Sequence, residues 1–348
     1  MRASVLRLLT ATAGAALAIA GAEALVRATV GMPRTPPPLD AGLPALHEPD
    51  PELGWRNKEG AVEWPGRGAD EGRPIALSFW PGGLRATAAR LVEGRPEVAV
   101  IGCSYTQGWA VGDAETFAWR LQERFPSLAF RNLGTAGYGT YQSLLALERF
   151  LRARPGAVPL VIYGFIEHHE VRNVAPAGWM RALRTVSAAG PLAVPFASLD
   201  ADGRLERHPP QAPTRWPLDD RLASVSLLES RLADARSAGR LADRRAVAEA
   251  LLEELRDAST AHGALLLVAI LEAGPEARRH YRRWLPSHGI RVVDCSNPHA
   301  LDSAYQVQGY GHPGREVHAG WASCIAAPIE ALLRSQPQLE TAAAPAAR

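Results

Sequence analysis

The sequence predicts an α/β protein, a three-layer α/β/α sandwich around a mainly parallel five-stranded sheet. Three observations carry that expectation. Continuous apolar runs such as Glu97-Val98-Ala99-Val100-Ile101-Gly102 have the texture of strands buried on both faces. They alternate with stretches of helical periodicity, which calls for right-handed crossovers and a parallel sheet. A chain of 348 residues, 47% of them hydrophobic, is long and apolar enough to bury a sizeable core.

The elements follow in order. Arg2 and Arg7 precede an uncharged stretch at 8–22, so residues 1–30 read as a signal peptide or an N-terminal membrane anchor. Positive charge on the short N-terminal side puts the rest of the chain outside the cytoplasm, in the periplasm or cell envelope. Residues 31–95 begin as a proline-rich spacer at 33–38 and continue as a β-rich lead-in with turn signals and no core of its own. The main domain spans 96–335. Its first strand is 97–102. A helix follows, with Asp113 as N-cap and Phe117, Leu121 and Phe125 on one face. The second strand is 128–133, and Thr140 opens the next helix. Strands at 158–165, 264–271 and 290–295 and a closing helix at 314–334 complete the pattern. Residues of about 174–240, rich in Pro and Arg, are an insertion over the strand ends, where α/β sheets bind ligands; one clear helix, 244–258, follows them. The tail at 336–348 reads as disordered.

Composition removes several functions. Lys+Arg 38 against Asp+Glu 36 gives +2, a balance with no electrostatic footprint for nucleic acid. Lys58 is the single lysine, in Asn57-Lys58-Glu59-Gly60. A phosphate-cradling loop, a protein-kinase core and a Schiff-base enzyme each need a lysine in another context. Cys103, Cys295 and Cys324 are odd in number and far apart, so neither a zinc site nor a disulfide framework is signalled; they read as three buried thiols. His169-Glu170-Val171-Arg172-Asn173 misses the paired histidines of a zinc peptidase, and no G-x-S-x-G surrounds Ser104. No cofactor or metal is expected.

The chemistry sits just past the strand ends. Strand one runs into Gly102-Cys103-Ser104-Tyr105-Thr106-Gln107-Gly108 and strand two into Asn132-Leu133-Gly134-Thr135-Ala136-Gly137. Strand three runs into Glu167-His168-His169, and Gly311-His312-Pro313 precedes the last helix. A serine, a glycine loop and a late histidine outline nucleophile, oxyanion donors and base. Each has a plainer competitor: Ser104 as a turn serine, Gly137 as a positive-φ turn residue, His312 and the His168–His169 pair as loop residues, His318 as a helix packing residue.

Here the sequence resembles the SGNH, or GDSL-like, hydrolase family over roughly 97–335. The block Val100-Ile-Gly-Cys-Ser-Tyr-Thr-Gln-Gly-Trp-Ala-Val-Gly-Asp-Ala-Glu-Thr-Phe117 is similar to the family's serine block. Asn132-Leu-Gly-Thr-Ala-Gly-Tyr-Gly139 resembles its glycine block, and Gly311-His-Pro its closing histidine. Asp50-Pro-Glu-Leu-Gly-Trp55 and Gly83-Leu-Arg85 resemble the upstream region of envelope-anchored members. The resemblance implies a flavodoxin-like fold, with Ser104 as nucleophile and first oxyanion donor, Gly137 as second donor and His312 as general base. The family's asparagine donor falls on His168, with Asn173 five residues later. The acid that usually precedes the histidine by two or three residues is absent, since Gly309 and Tyr310 stand there. Asp302, Asp294, Glu316 or a backbone carbonyl would take its place. The implied function is a serine esterase acting on small-molecule or carbohydrate esters, O-acyl groups of envelope carbohydrate among them. An O-acyltransferase and a catalytically inactive glycan-binding module on the same fold are the alternatives.

Overall fold

The computed structural model describes residues 2–31, 42–68, 71–183, 192–213 and 215–340. The spacer at 33–38 and the tail from 341 lie outside them. The chain opens with the apolar helix α1 (Arg2–Val30). The lead-in forms a hairpin of β1 (His47–Asp50) and β2 (Gly54–Asn57), then β3 (Gly60–Trp64), β4 (Ile75–Trp80) and β5 (Leu84–Arg85). The α/β alternation starts at β6 (Glu97–Gly102), followed by α2 (Ser104–Gln107), α3 (Phe117–Arg124), β7 (Ala129–Asn132), α4 (Thr140–Arg152), β8 (Leu160–Ile166) and α5 (His169–Asn173). Next come α6 (Ala177–Leu183), a hairpin of β9 (Val194–Leu199) and β10 (Leu205–Gln211), and helices α7 (Ala223–Ala242) and α8 (Arg244–Ala261). The chain then runs through β11 (Leu265–Glu272), α9 (Pro275–Ser287) and β12 (Arg291–Asp294). A ribbon of β13 (Gln306–Val307) and β14 (His312–Pro313) leads into α10 (Arg315–Ser335), and Pro337–Glu340 add one 3-10 turn.

Strands β12, β11, β8, β6 and β7 lie in that order, each parallel to its neighbour. These are the five strands the sequence predicts. The sheet does not stop there: β5 pairs antiparallel with β7 through Arg85 and Asn132, and β4 and β3 follow it, making eight strands. One face of the sheet packs on α4, α8 and α9 through residues such as Leu144, Leu251 and Tyr281. The other packs on α3 and α10 through Phe117, Leu121, Trp321 and Ile325. The three layers follow directly, because the parallel strands are apolar on both sides and need cover on both. Because the chain turns from β6 to β7 on one side and to β8 on the other, the strand order reverses at β6. Open α/β sheets hold their ligands at such a point, beyond the carboxyl ends of the strands.

Two features depart from the sequence reading. The proline-rich stretch before α8 is not without regular structure: it carries α6, the β9–β10 hairpin and the 20-residue α7. Pro209 and Pro210 sit inside β10, where the register breaks between His208 and Gln211, and a two-stranded edge tolerates what a central strand would not. The second departure concerns the cysteines. Cys295 and Cys324 form a disulfide, with Cα atoms 5.7 Å apart, while Cys103 is free and buried. The 29-residue separation carries no spacing signal; the pair meets because the end of β12 packs against α10.

The apolar helix α1 also makes a specific contact. Glu23 accepts hydrogen bonds from the N–H groups of Ala223 (2.8 Å) and Ser224 (2.9 Å) and from the Ser224 hydroxyl (2.6 Å). It therefore caps α7 from two hundred residues away. Arg27 donates to the carbonyl of Arg221 at 3.1 Å beside it.

Candidate active site

Ser104 lies in the first turn after β6. Three close approaches press that turn onto the sheet. Gly102 and Gly164 are register partners on β6 and β8, and the Thr106 side chain sits over both of them. A Cβ at Gly102 would stand 2.2 Å from Thr106 Oγ1, and one at Gly164 would stand 2.3 Å from it. Gly134 of the glycine loop approaches the same turn from the other side, where a Cβ would meet the Gln107 nitrogen at 2.5 Å. Asn132 locks the contact by donating to Thr106 O (2.8 Å) while accepting from Gly134 N–H (2.9 Å). Ser104 is buried, with only 4% of its surface exposed.

His312, on β14, reaches this serine: its Nε2 is 3.1 Å from Ser104 Oγ. Its Nδ1 is 3.0 Å from the carbonyl of Tyr310. A carbonyl oxygen only accepts, so Nδ1 carries the proton and Nε2 presents its lone pair to the hydroxyl. The three acids named above as orienting groups are engaged elsewhere. Asp302 accepts from Ala304 N–H, Asp294 pairs with Arg278, and Glu316 pairs with Arg315. Desolvation pushes the His312 pKa down to about 4, with Arg172 adding to the shift and the Tyr310 carbonyl opposing it. The ring is therefore neutral near pH 7. His318, buried, stacks on Phe117 and accepts from its N–H at 3.3 Å, so it packs α10 against α3.

The lead-in holds both loops. Trp55 donates from its indole to Ala136 O (2.8 Å), and its ring lies against Gly137, where a Cβ would stand 2.9 Å from it. Tyr138 returns a hydrogen bond to Trp55 O. On the other side Tyr310 stacks on Trp64 and donates to Pro65 O at 2.7 Å. Asn57, Gln107 and Arg85 form a buried polar network behind the serine turn. Gln107 donates to Asn57 (2.7 Å), Asn57 to Gly83 O and Gly134 O, and Arg85 to Gln107 O, Val111 O and the Asp113 carboxylate. Asp113 thus anchors Arg85, and Thr116 caps α3 in its place, accepting from Trp119 N–H. Sequence reading missed this scaffold. Its one visible trace was the pair of upstream motifs around Trp55 and Arg85.

The serine and histidine open onto a cleft of about 580 Å³, whose wall includes Tyr105, Glu167, His168, Arg172 and Glu272. His168 is exposed and meets Trp179 edge-on. Desolvation and then the Arg172 charge push its pKa down to about 4. Asn173 does not face the cleft chemistry: it is buried, accepts from Tyr141 N–H (3.1 Å) and donates to Thr140 Oγ1 (3.1 Å), pinning α5 to the start of α4. His169 is buried against Tyr163. Gly137 is set in the turn closed by Tyr138 N–H and Thr135 O and is not part of the cleft wall. A polarised hydroxyl beside a neutral imidazole in a half-polar cleft is equipped for nucleophilic acyl chemistry.

No protein-family model and no curated protein sequence matches the chain. Solved structures do. TesA matches with 12% identity and a TM-score of 0.42, over 68% of this chain and 99% of that one. A lipolytic protein of the G-D-S-L family from Veillonella parvula matches with 11% identity and 0.38, over 66% and 96%. The acetylxylan esterase Axe2 from Geobacillus stearothermophilus matches with 14% identity and 0.37, over 69% and 96%.

Proposed function

We propose that this chain is an exported serine esterase of the SGNH type, with Ser104 as nucleophile and His312 as general base. The contact between Ser104 Oγ and His312 Nε2, with Nδ1 held by a main-chain carbonyl, carries the reading. As Oγ attacks an ester carbonyl, Nε2 takes its proton and the imidazolium then gives it to the departing alcohol. Water, deprotonated by the same ring, releases the acyl group. The N–H of Ser104 serves as an oxyanion donor, with His168 as a second from the cleft wall. Donors of this kind are each worth about 3 kcal/mol of barrier.

Small acyl groups on envelope carbohydrate are the substrates this reading favours. Its support is location. A disulfide persists in an oxidising compartment, and the charge pattern around α1 directs the domain outward. In the same reading α1 is retained as the anchor, because its Glu23 is built into the fold as the cap of α7. The 15 uncharged residues at 8–22 rise about 22 Å as a helix, and Arg7 snorkelling toward the surface extends the reach toward a core of about 30 Å.

The test uses the full chain in detergent. A fluorophosphonate should label Ser104, and 4-nitrophenyl acetate should turn over, with Ser104→Ala lowering the rate about a thousandfold or more. Equal turnover by both proteins, without labelling, would remove serine catalysis.

A further inference from the structure

Arg172 is a charged group on the cleft wall that neither the mechanism nor a carboxylate partner uses among the described residues. It extends from α5, one turn beyond His168, and lines the same cleft as Ser104 and His312. Its Nη1 donates to Tyr138 O at 3.0 Å, and its guanidinium carbon lies 4.9 Å from the centre of the Trp179 ring. Two contacts therefore fix the plane of the fork. Among the described residues Nη2 makes no hydrogen bond and no acidic side chain pairs with Arg172, so that nitrogen is left over for a ligand; Nε is buried and has no partner either. The other arginine of the wall, Arg244, is paired with Glu170, as is its neighbour Arg245. The charge of Arg172 acts on the site itself, since it disfavours protonation of both His168 and His312.

A half-buried guanidinium without a counter-charge is costly, and one whose orientation is fixed by an aromatic face and a carbonyl is preorganised for an oxyanion. We infer that Arg172 binds an anionic group, a carboxylate or a phosphate, carried by the ester close to the bond that Ser104 attacks. Two carboxylates that line the same cleft sharpen the choice. Glu167 accepts from Gly274 N–H at 2.7 Å, and Glu272 is pushed above the usual carboxylate range by burial and by Glu167. Those two carboxylates repel an anion and accept hydroxyls, so an anionic sugar or polyol ester enters with its charge on Arg172 and its hydroxyls on Glu167 and Glu272. This inference rests on the esterase reading of the same site and names its substrate class.

The experiment compares matched esters on the full chain in detergent at low salt. Acetate release is followed from 1-acetylglycerol and its 3-phosphate, and from acetylated xylotriose and acetylated trigalacturonate. The expected ratio of kcat/KM, anionic over neutral, is at least tenfold in one pair, and that pair identifies the anion. Arg172→Gln should collapse the ratio at least tenfold, mainly through KM, and Arg172→Lys should restore part of it. A merely structural role would lower both members of a pair alike, so an unchanged ratio in Arg172→Gln overturns the inference, as does a ratio near one in the unaltered protein. A separate arm covers failure of the esterase reading. Calorimetric binding of trigalacturonate and of glycerol 3-phosphate to the Ser104→Ala chain should weaken at least tenfold for one of them when Arg172→Gln is added. Equal binding with and without Arg172, or no binding of either, overturns the inference whether or not Ser104 is catalytic.

Discussion

At the scale of single residues, the pH dependence of the site follows from His312. In the proposed mechanism His312 acts only unprotonated, and desolvation lowers its pKa from 6.5 to about 4. Activity should therefore rise with pH through about 4 and stay flat from about pH 5.5 to neutrality. A pH–rate profile with 4-nitrophenyl acetate reads this directly; an inflection near 6.5 would mean that the ring is solvated in the working enzyme. The residue scale is also where the sequence spoke most clearly. Ser104 and His312 stand 208 residues apart, yet both were legible, because each follows a strand end or opens the last helix in a recognisable block. The orienting group was not, since a carbonyl belongs to every residue and no letter marks the one that matters. Arg85 and Asn57 were unreadable as a buried network for a related reason: a polar residue reads as exposed until its partners are known.

At the scale of elements, the serine turn depends on two glycines opposite each other on β6 and β8. Gly164→Ala should destabilise the protein by about 1–3 kcal/mol, because the new methyl meets Thr106 Oγ1 and a Leu271 methyl that stands 2.9 Å away. Adding Thr106→Ala should recover much of that loss, since it removes the nearer obstacle; Thr106 Oγ1 makes no hydrogen bond that would be missed. Thermal or urea unfolding of the three variants measures both effects, and failure of the second change to rescue would place the strain elsewhere. The parallel strands were legible for the reason that makes them strands, namely burial on both faces. β3, β4 and β5 were harder, because half-buried strands joined only at the sheet's edge look like any lead-in with turns. Their place beside β7 is fixed by side chains: Arg85, Trp55 and Trp64 belong to the lead-in yet contact residues after 105.

At the scale of the whole molecule, the Cys295–Cys324 bridge closes a loop of 29 residues between β12 and α10. The chain-entropy account gives such a loop about 3–4 kcal/mol of stability. Reduction with dithiothreitol under otherwise native conditions should lower the midpoint of thermal unfolding accordingly, and the paired Cys295→Ser and Cys324→Ser variant should match the reduced protein. An unchanged midpoint would mean that the thiols are not joined in solution. The bridge also bears on the site, because α10 continues directly from the β14 segment that carries His312. Loosening the middle of that helix should weaken the alignment of the dyad before the fold is lost, so activity should fall ahead of the unfolding signal during reduction.

The bond from the His312 ring to the Tyr310 carbonyl has an evolutionary corollary. In a triad the third member has its own codon, and one base change can delete it. Here the partner that selects the tautomer is peptide main chain, so no missense change at position 310 erases the acceptor itself. Loss of the orienting acceptor is then confined to changes that bend the ribbon between Trp64 and α10.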